Sequence, residues 1–136
     1  MKNKAEAIWK GKGVDGKGVL NTTSNALRNA SYSYITRTEN TNGTNPEELI
    51  AAAHAGCFAM KLAFAFETAG YVADEINASC EVTFEAGVIK SSHIEVEAKV
   101  KGIEKEEFDE LISDSGKNCP VSKLLNTDIK VNAVLL

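Results

Sequence analysis

Hydrophobic positions along this chain recur with two periods, and the switches between them mark its elements. Residues 5–10, AEAIWK, put Ala5, Ala7 and Trp9 on one side, the alternation of a half-buried strand. The glycine-rich GKGVDGKG at 11–18 reads as a hairpin turn. GVLNTTSNAL and SYSYITR read as further strands, and TENTNGTN as a polar turn cluster. Later, NASCEVTFE aligns Ala78, Cys80, Val82 and Phe84, and SSHIEVEAKV aligns Ile94, Val96, Ala98 and Val100, with Gly87 in the turn between them. EKEEFDELISDS has helical spacing, with Ile103, Phe108, Leu111 and Ile112 inward. NCPVSKLLN opens a short helix with Pro120 near its first turn. DIKVNAVLL closes the chain as a strand alternating through Ile129, Val131, Ala133 and Leu135.

Between these halves lies an apolar run, AAAHAGCFAMKLAFAF, at 51–66. Its start and stop signals are those of a helix. Asn45 is a candidate N-cap, Pro46 suits the first helical position, and Glu48 completes a capping-box spacing. Glu47 and Glu48 favour the positive end of the helix dipole, and Gly70 is a C′ glycine. From Pro46 to Ala69 the helix is about 36 Å long. It is apolar nearly all round, which predicts burial all round. A single small domain encloses such a helix poorly, so a second copy of the chain is expected to cover it. Leu49 to Phe66 reaches the minimum length of a bilayer span, but His54 and Lys61 inside it argue against a membrane. The order strands, helix, strands, helices, strand predicts one α+β domain over 1–136, with mostly antiparallel sheet on a central helix.

Composition sharpens this only slightly. The 136 residues are 43% hydrophobic and 25% charged, with a formal net charge of −4. That describes a soluble globular domain without a basic patch for nucleic acid. The first residues, MKNKAEAIWKGKG, have no apolar run behind their charges, so no signal peptide is read and a cytoplasmic location is expected. The cysteine count of three is odd and has no staple-like spacing, which points to reactive or metal-binding thiols rather than a disulfide scaffold.

Two motifs are decoys. GKGVDG fits a dinucleotide fingerprint, and GKGVDGKG nearly fits a phosphate loop, with Gly18 where Ser or Thr is required. Both need a helix directly after the loop, and VLNTTSNA is a poor one. A metal site has the right ligand types in His54, Cys57, His93 and Cys119, but no Cys-x-x-Cys pair or adjacent carboxylate. His54 reads better as a core histidine with a hydrogen-bonded ring nitrogen, and Cys80 as a small buried hydrophobe. No metal or cofactor is expected.

Cys57 and Cys119 differ from Cys80 in setting. Cys119 precedes Pro120 at a helix N-terminus, where exposed N–H groups stabilise a thiolate. Cys57 lies mid-helix, where burial raises its pKa, so it needs a cation. Lys61, four residues on, and Arg37 are the candidates. Two structural thiols are an equally fair reading of these residues alone.

GTNPEELIAAAHAGCFAMKLAFAFETAGY, followed by NCPVSKLL, resembles the OsmC/Ohr family of osmotically inducible and organic hydroperoxide resistance proteins, on its OsmC side. AIWKG, YITRTEN and the alternating terminal strand extend the resemblance over essentially the whole chain. It implies an OsmC-like fold, an intertwined homodimer with two central helices wrapped by sheets, and a thiol peroxidase acting on organic and also inorganic hydroperoxides. It places the peroxidatic cysteine on Cys57, the resolving cysteine on Cys119, the arginine on Arg37 and its glutamate partner on Glu47. It also implies re-reduction by an external dithiol, which in the family can be a lipoylated protein. Lys61 departs from the small or apolar residue expected there. Phe58 and Met60 are candidates to line a pocket for the organic part of the substrate. Glu47 and Cys57 are about 15 Å apart along a straight helix and on different faces. Each site is therefore expected at the dimer interface, with residues borrowed across it. The rival reading is a redox sensor or binding protein that keeps the fold and a reversible disulfide without turnover.

Overall fold

The computed structural model describes residues 1–39 and 42–136, which form two compact units, Met1–Leu49 and Ile50–Leu136.

The first unit is a three-stranded antiparallel sheet, β1 (Ala5–Lys10), β2 (Lys17–Thr22) and β3 (Ala30–Tyr32), in the order β1-β2-β3. The glycine-rich stretch is the β1–β2 connection. Its Gly16 N–H donates to the Lys12 carbonyl at 2.7 Å, and the Trp9 indole donates to the same oxygen at 3.3 Å. Gly18 opens no helix. It is a strand residue beneath the tilted Trp9–Tyr32 ring pair, whose centroids are 5.3 Å apart, and a Cβ there would clash with the Tyr32 ring. SYSYITR is not one strand, as expected, but β3 followed by a 3-10 turn at Ile35–Arg37. Local bonds win over the ladder: the Thr36 hydroxyl donates to the Ser33 carbonyl at 2.6 Å and accepts the Ser33 N–H at 3.2 Å. Of the expected polar turn TENTNGTN, Asn40 and Thr41 lie outside the described residues.

Helix α1 runs from Pro46 to Thr68, one residue short of the expected end. Asn45 Oδ1 accepts the Glu48 N–H at 2.8 Å, and the Glu48 carboxylate accepts the Thr44 hydroxyl at 2.7 Å. At the other end, Gly70 has φ +93°. Its N–H donates to Glu67, and that of Tyr71 to Phe66, the pattern of a Schellman stop.

In the second unit, β4 (Ala73–Glu85) and β5 (Val88–Val100) form a long antiparallel hairpin closed by Ala86 and Gly87, both at positive φ. The register shifts between Thr83 and Phe84, where β5 carries the extra residue Lys90, and Phe84 is more exposed than Ala78, Cys80 and Val82. Strand β6 (Asp128–Leu135) pairs with β5 in parallel, after α2 (Lys105–Asn118) and α3 (Pro120–Leu124) cross between them. The sheet is thus mixed: alternation reports faces and is blind to strand direction.

The core joins α1, β5 and α2. Ile94, Val96, Ala98 and Val100 point inward from β5, and Phe58, Leu62 and Phe66 from α1. Phe66 stacks on Phe108 of α2 at 6.0 Å. Besides this row, α1 buries His54, one turn before Phe58, and Glu47 in its first turn. Met60 and Phe64, which the chain's own sheet leaves uncovered, are 64% and 60% exposed; they lie on the surface that a second copy is expected to cover. By length and composition alone, α1 meets the requirements of a membrane span. Phe108 is fully buried, so Phe108→Ala should destabilise the fold by about 3–5 kcal/mol, measured by urea denaturation.

Candidate active site: two thiols at a helix break

The geometry of the thiol pair starts at Pro120. A proline disfavours helical backbone in the residue before it, and Cys119 has φ −58° and ψ 126°. This residue ends α2 and begins α3: its N–H donates to Ser115 at 2.9 Å, and its carbonyl accepts from Lys123 at 3.0 Å. The side chain is thereby held at the corner between the two helices. There it meets Cys57 from α1. Both cysteines are free thiols, Cys57 half-buried and Cys119 fully buried.

The two sulfurs are tuned in opposite directions. Burial pushes the Cys57 thiol up, the neighbouring Cys119 pushes it further, and the Val121 N–H opposes them. Burial also acts to raise Cys119, but it is outweighed. Cys57, the N–H groups of Ser122 and Val121, and the Ser122 hydroxyl bring the Cys119 thiol below its ordinary value. The helix-start and mid-helix readings of the two cysteines therefore hold in direction.

The other expected site residues form a pair in the first unit. Arg37 Nε donates to Glu47 Oε2 at 3.2 Å, the side chains being 30% and 11% exposed. Glu47 sits in the first turn of α1. Arg37 also borders an apolar hollow lined by Trp9, Val14, Tyr32, Tyr34 and Pro46. Phe58, a candidate pocket residue, is instead fully buried in the core, while Met60 is exposed. Lys61 is half-buried on α1.

Two serines that sequence reasoning missed surround His54, which is fully buried. Its Nδ1 is 2.6 Å from Ser92 Oγ of β5, and its Nε2 is 2.7 Å from Ser122 Oγ of α3. Cys80 Sγ lies 3.2 Å from Ser92 Oγ and 3.9 Å from His54 Nδ1, so it is a polar neighbour as well as a filler. The signal for Ser92 was its place in the inward row of SSHIEVEAKV, two residues before Ile94. That for Ser122 was its spacing of three from Cys119. With both ring nitrogens engaged by serines, His54 is a core histidine. His93 pairs with Asp128 at 3.2 Å. Among the described residues no three His, Cys, Asp or Glu side chains are grouped to hold a metal.

A family model described as OsmC-like protein matches residues 38–134. The chain belongs to the OsmC family. It is 38% identical over 133 residues to Peroxiredoxin OsmC of Escherichia coli K12, spanning 95% of this chain and 93% of that one. The fold is shared with an OsmC-like protein of unknown function from Vibrio cholerae, with a TM-score of 0.75 at 14% identity, covering 98% and 99% of the two chains. It is shared too with the organic hydroperoxide resistance protein OhrB of Bacillus subtilis, with a TM-score of 0.65 at 23% identity and 98% coverage of both.

Burial lowers the His54 pKa from its ordinary 6.5, which fixes a sign for stability. The unfolded chain takes up this proton first. The contribution of neutral His54 is therefore full above about pH 6.5 and is lost as pH falls from there toward the folded-state value. Urea midpoints measured at about pH 7.5 and about pH 5.5 should fall on acidification, and less so in His54→Gln.

Proposed function

We propose that this protein is a cysteine-based peroxidase that reduces organic, and also inorganic, hydroperoxides to alcohols or water. The observation that carries this reading is the contact between two free thiols of unequal exposure. The half-buried Cys57 is the one a peroxide reaches. The fully buried Cys119, although its thiolate is the better stabilised, is placed to close on its neighbour. The name of the Escherichia coli relative, a peroxiredoxin, supports a peroxidase-type function.

In this mechanism the Cys57 thiolate attacks one peroxide oxygen. The O–O bond breaks and the alkoxide leaves, taking a proton to become the alcohol. Cys57 is then a sulfenic acid. Cys119 attacks its sulfur, the S–O bond breaks, hydroxide leaves as water, and a disulfide forms. An external dithiol, of the lipoylated-protein kind used in the family, restores both thiols by exchange. Burial opposes the Cys57 thiolate, so a cation is needed, and Arg37 is assigned that role with Glu47 orienting it. The apolar hollow beside Arg37 suits the organic part of a hydroperoxide, with the guanidinium facing its oxygens. The working molecule is a cytoplasmic homodimer whose sites lie at the interface, as the exposed apolar face of α1 favours.

Dithiothreitol-dependent consumption of cumene hydroperoxide tests the chemistry. Cys57→Ser should be inactive, and Cys119→Ser should stall or overoxidise. Arg37→Met should lose about 10²–10³-fold in rate, the scale of losing one preorganised stabilising donor. Absence of turnover in the unaltered protein would leave the redox-sensor reading in its place.

Sedimentation tests the assembly. The protein should run as a dimer and Phe64→Lys as a weaker one, since a charge is costly to bury in an apolar interface. A monomeric unaltered protein that turns over peroxide would overturn the shared site.

A further inference from the structure

The buried groups around His54 form one continuous polar chain from the sheet to the second thiol. It runs Cys80, Ser92, His54, Ser122, Cys119, through contacts of 3.2, 2.6 and 2.7 Å as far as Ser122. Ser122 lies in the first turn of α3, three residues after Cys119, and its N–H and hydroxyl both favour the Cys119 thiolate. The peroxidase mechanism above uses only the last member. The other four are costly to bury unless each polar atom is matched, and their order has a direct consequence.

A serine hydroxyl has one hydrogen, and a neutral imidazole has one N–H and one bare nitrogen. If Nε2 is bare, Ser122 gives its hydrogen to His54 and has none for the Cys119 sulfur. If Nε2 carries the hydrogen, Ser122 accepts from the ring and its own hydrogen is released toward Cys119. In that arrangement the Ser92 hydroxyl donates to the bare Nδ1, and Ser92 in turn accepts from the Cys80 thiol. Every group is then satisfied, and every donor points along the chain toward Cys119.

We propose that His54 is a positioning residue for the resolving thiol: held as the Nε2–H tautomer by Ser92, it donates to Ser122 and so commits the Ser122 hydroxyl hydrogen to the Cys119 sulfur. The consequence falls on the second half of the reaction. A Cys119 thiolate favoured by the Ser122 hydroxyl and by the N–H groups at the start of α3 is the species that attacks the Cys57 sulfenic acid. That attack forms the S–S bond, breaks the S–O bond and releases hydroxide, which solvent protonates. Burial keeps the imidazole uncharged, so the ring acts through its tautomer and not through charge. The titratable groups around this chain are Cys57 on α1, Cys80 on β4 with Glu81 beside it, and His54 itself.

This inference rests on the peroxidase reading for its meaning but not for its test. The full-length reduced protein, labelled with 15N-histidine and 13Cβ-cysteine, is followed by NMR against pH. His54 should show a protonated Nε2 and a bare Nδ1. The Cys119 titration should move to higher pH in His54→Leu and in Ser122→Ala, and should move less in His54→Gln, which keeps a donor near the Nε2 position. The closure rate of the disulfide at neutral pH, read by loss of dimedone capture at Cys57, should fall roughly tenfold in the first two variants, the worth of one hydrogen bond to a charged acceptor. A bare Nε2 in the unaltered protein overturns the proposal. So does a Cys119 titration that stays put in Ser122→Ala, a small change that keeps the test available if His54→Leu does not fold. If peroxide never oxidises Cys57, the peroxidase reading fails, while the tautomer and the titration still decide the role of His54.

Discussion

A polar ring inside an apolar helix must find partners, and much of the second unit is arranged around that requirement. His54 is fully buried, and an unmatched imidazole there would cost on the order of 1–3 kcal/mol per lost bond. Its two nitrogens are matched by serines from two different elements, β5 and α3. The helix, the sheet and the short segment carrying Cys119 are thereby tied at one point. Apolar packing alone is non-directional and would allow α1 to slide or rotate over the sheet. The serine–histidine–serine bridge fixes its register, and Cys57, one turn farther along, is aimed with it.

The same region shows how one proline organises chemistry. Pro120 breaks what would otherwise be a continuous helix from Lys105 to Leu124. The residue forced out of helical geometry is the one with the thiol. Breaking the helix frees N–H groups at the start of α3, and those of Val121 and Ser122 favour the thiolate forms of the neighbouring cysteines. The thiol that is least accessible is therefore the one whose charge is best supported. A half-buried thiol held back by desolvation stands beside a fully buried thiol whose charge is favoured, and the proposed peroxidase reading draws on that difference.

α1 carries a second consequence of its composition. Its buried row, His54, Phe58, Leu62 and Phe66, recurs every four residues and needs only one sheet to cover it. Met60 and Phe64 lie off that row and remain in solvent. Exposed apolar side chains of this kind are what a docking partner covers in the proposed dimer. The helix thus meets its own sheet with one face and is available to a second surface with another.

What the sequence determined by itself was local. Asn45, Pro46, Glu48 and Gly70 delimited α1 because caps and positive-φ stops act within a few residues. Period-two alternation identified β5 and β6 and their inward residues, because side-chain direction is a property of one strand. The family motif marked the two thiols, and helix position predicted the direction of each one's tuning. What only the tertiary structure decided were relations between distant segments. The parallel pairing of β5 with β6, the register shift beside Phe84, and the 3-10 turn that ends SYSYITR depend on competing hydrogen bonds that alternation does not encode. The partners of His54 lie 38 and 68 residues away. No spacing along the chain reveals that two ordinary serines converge on one imidazole, because that convergence is set by packing the helix on the sheet.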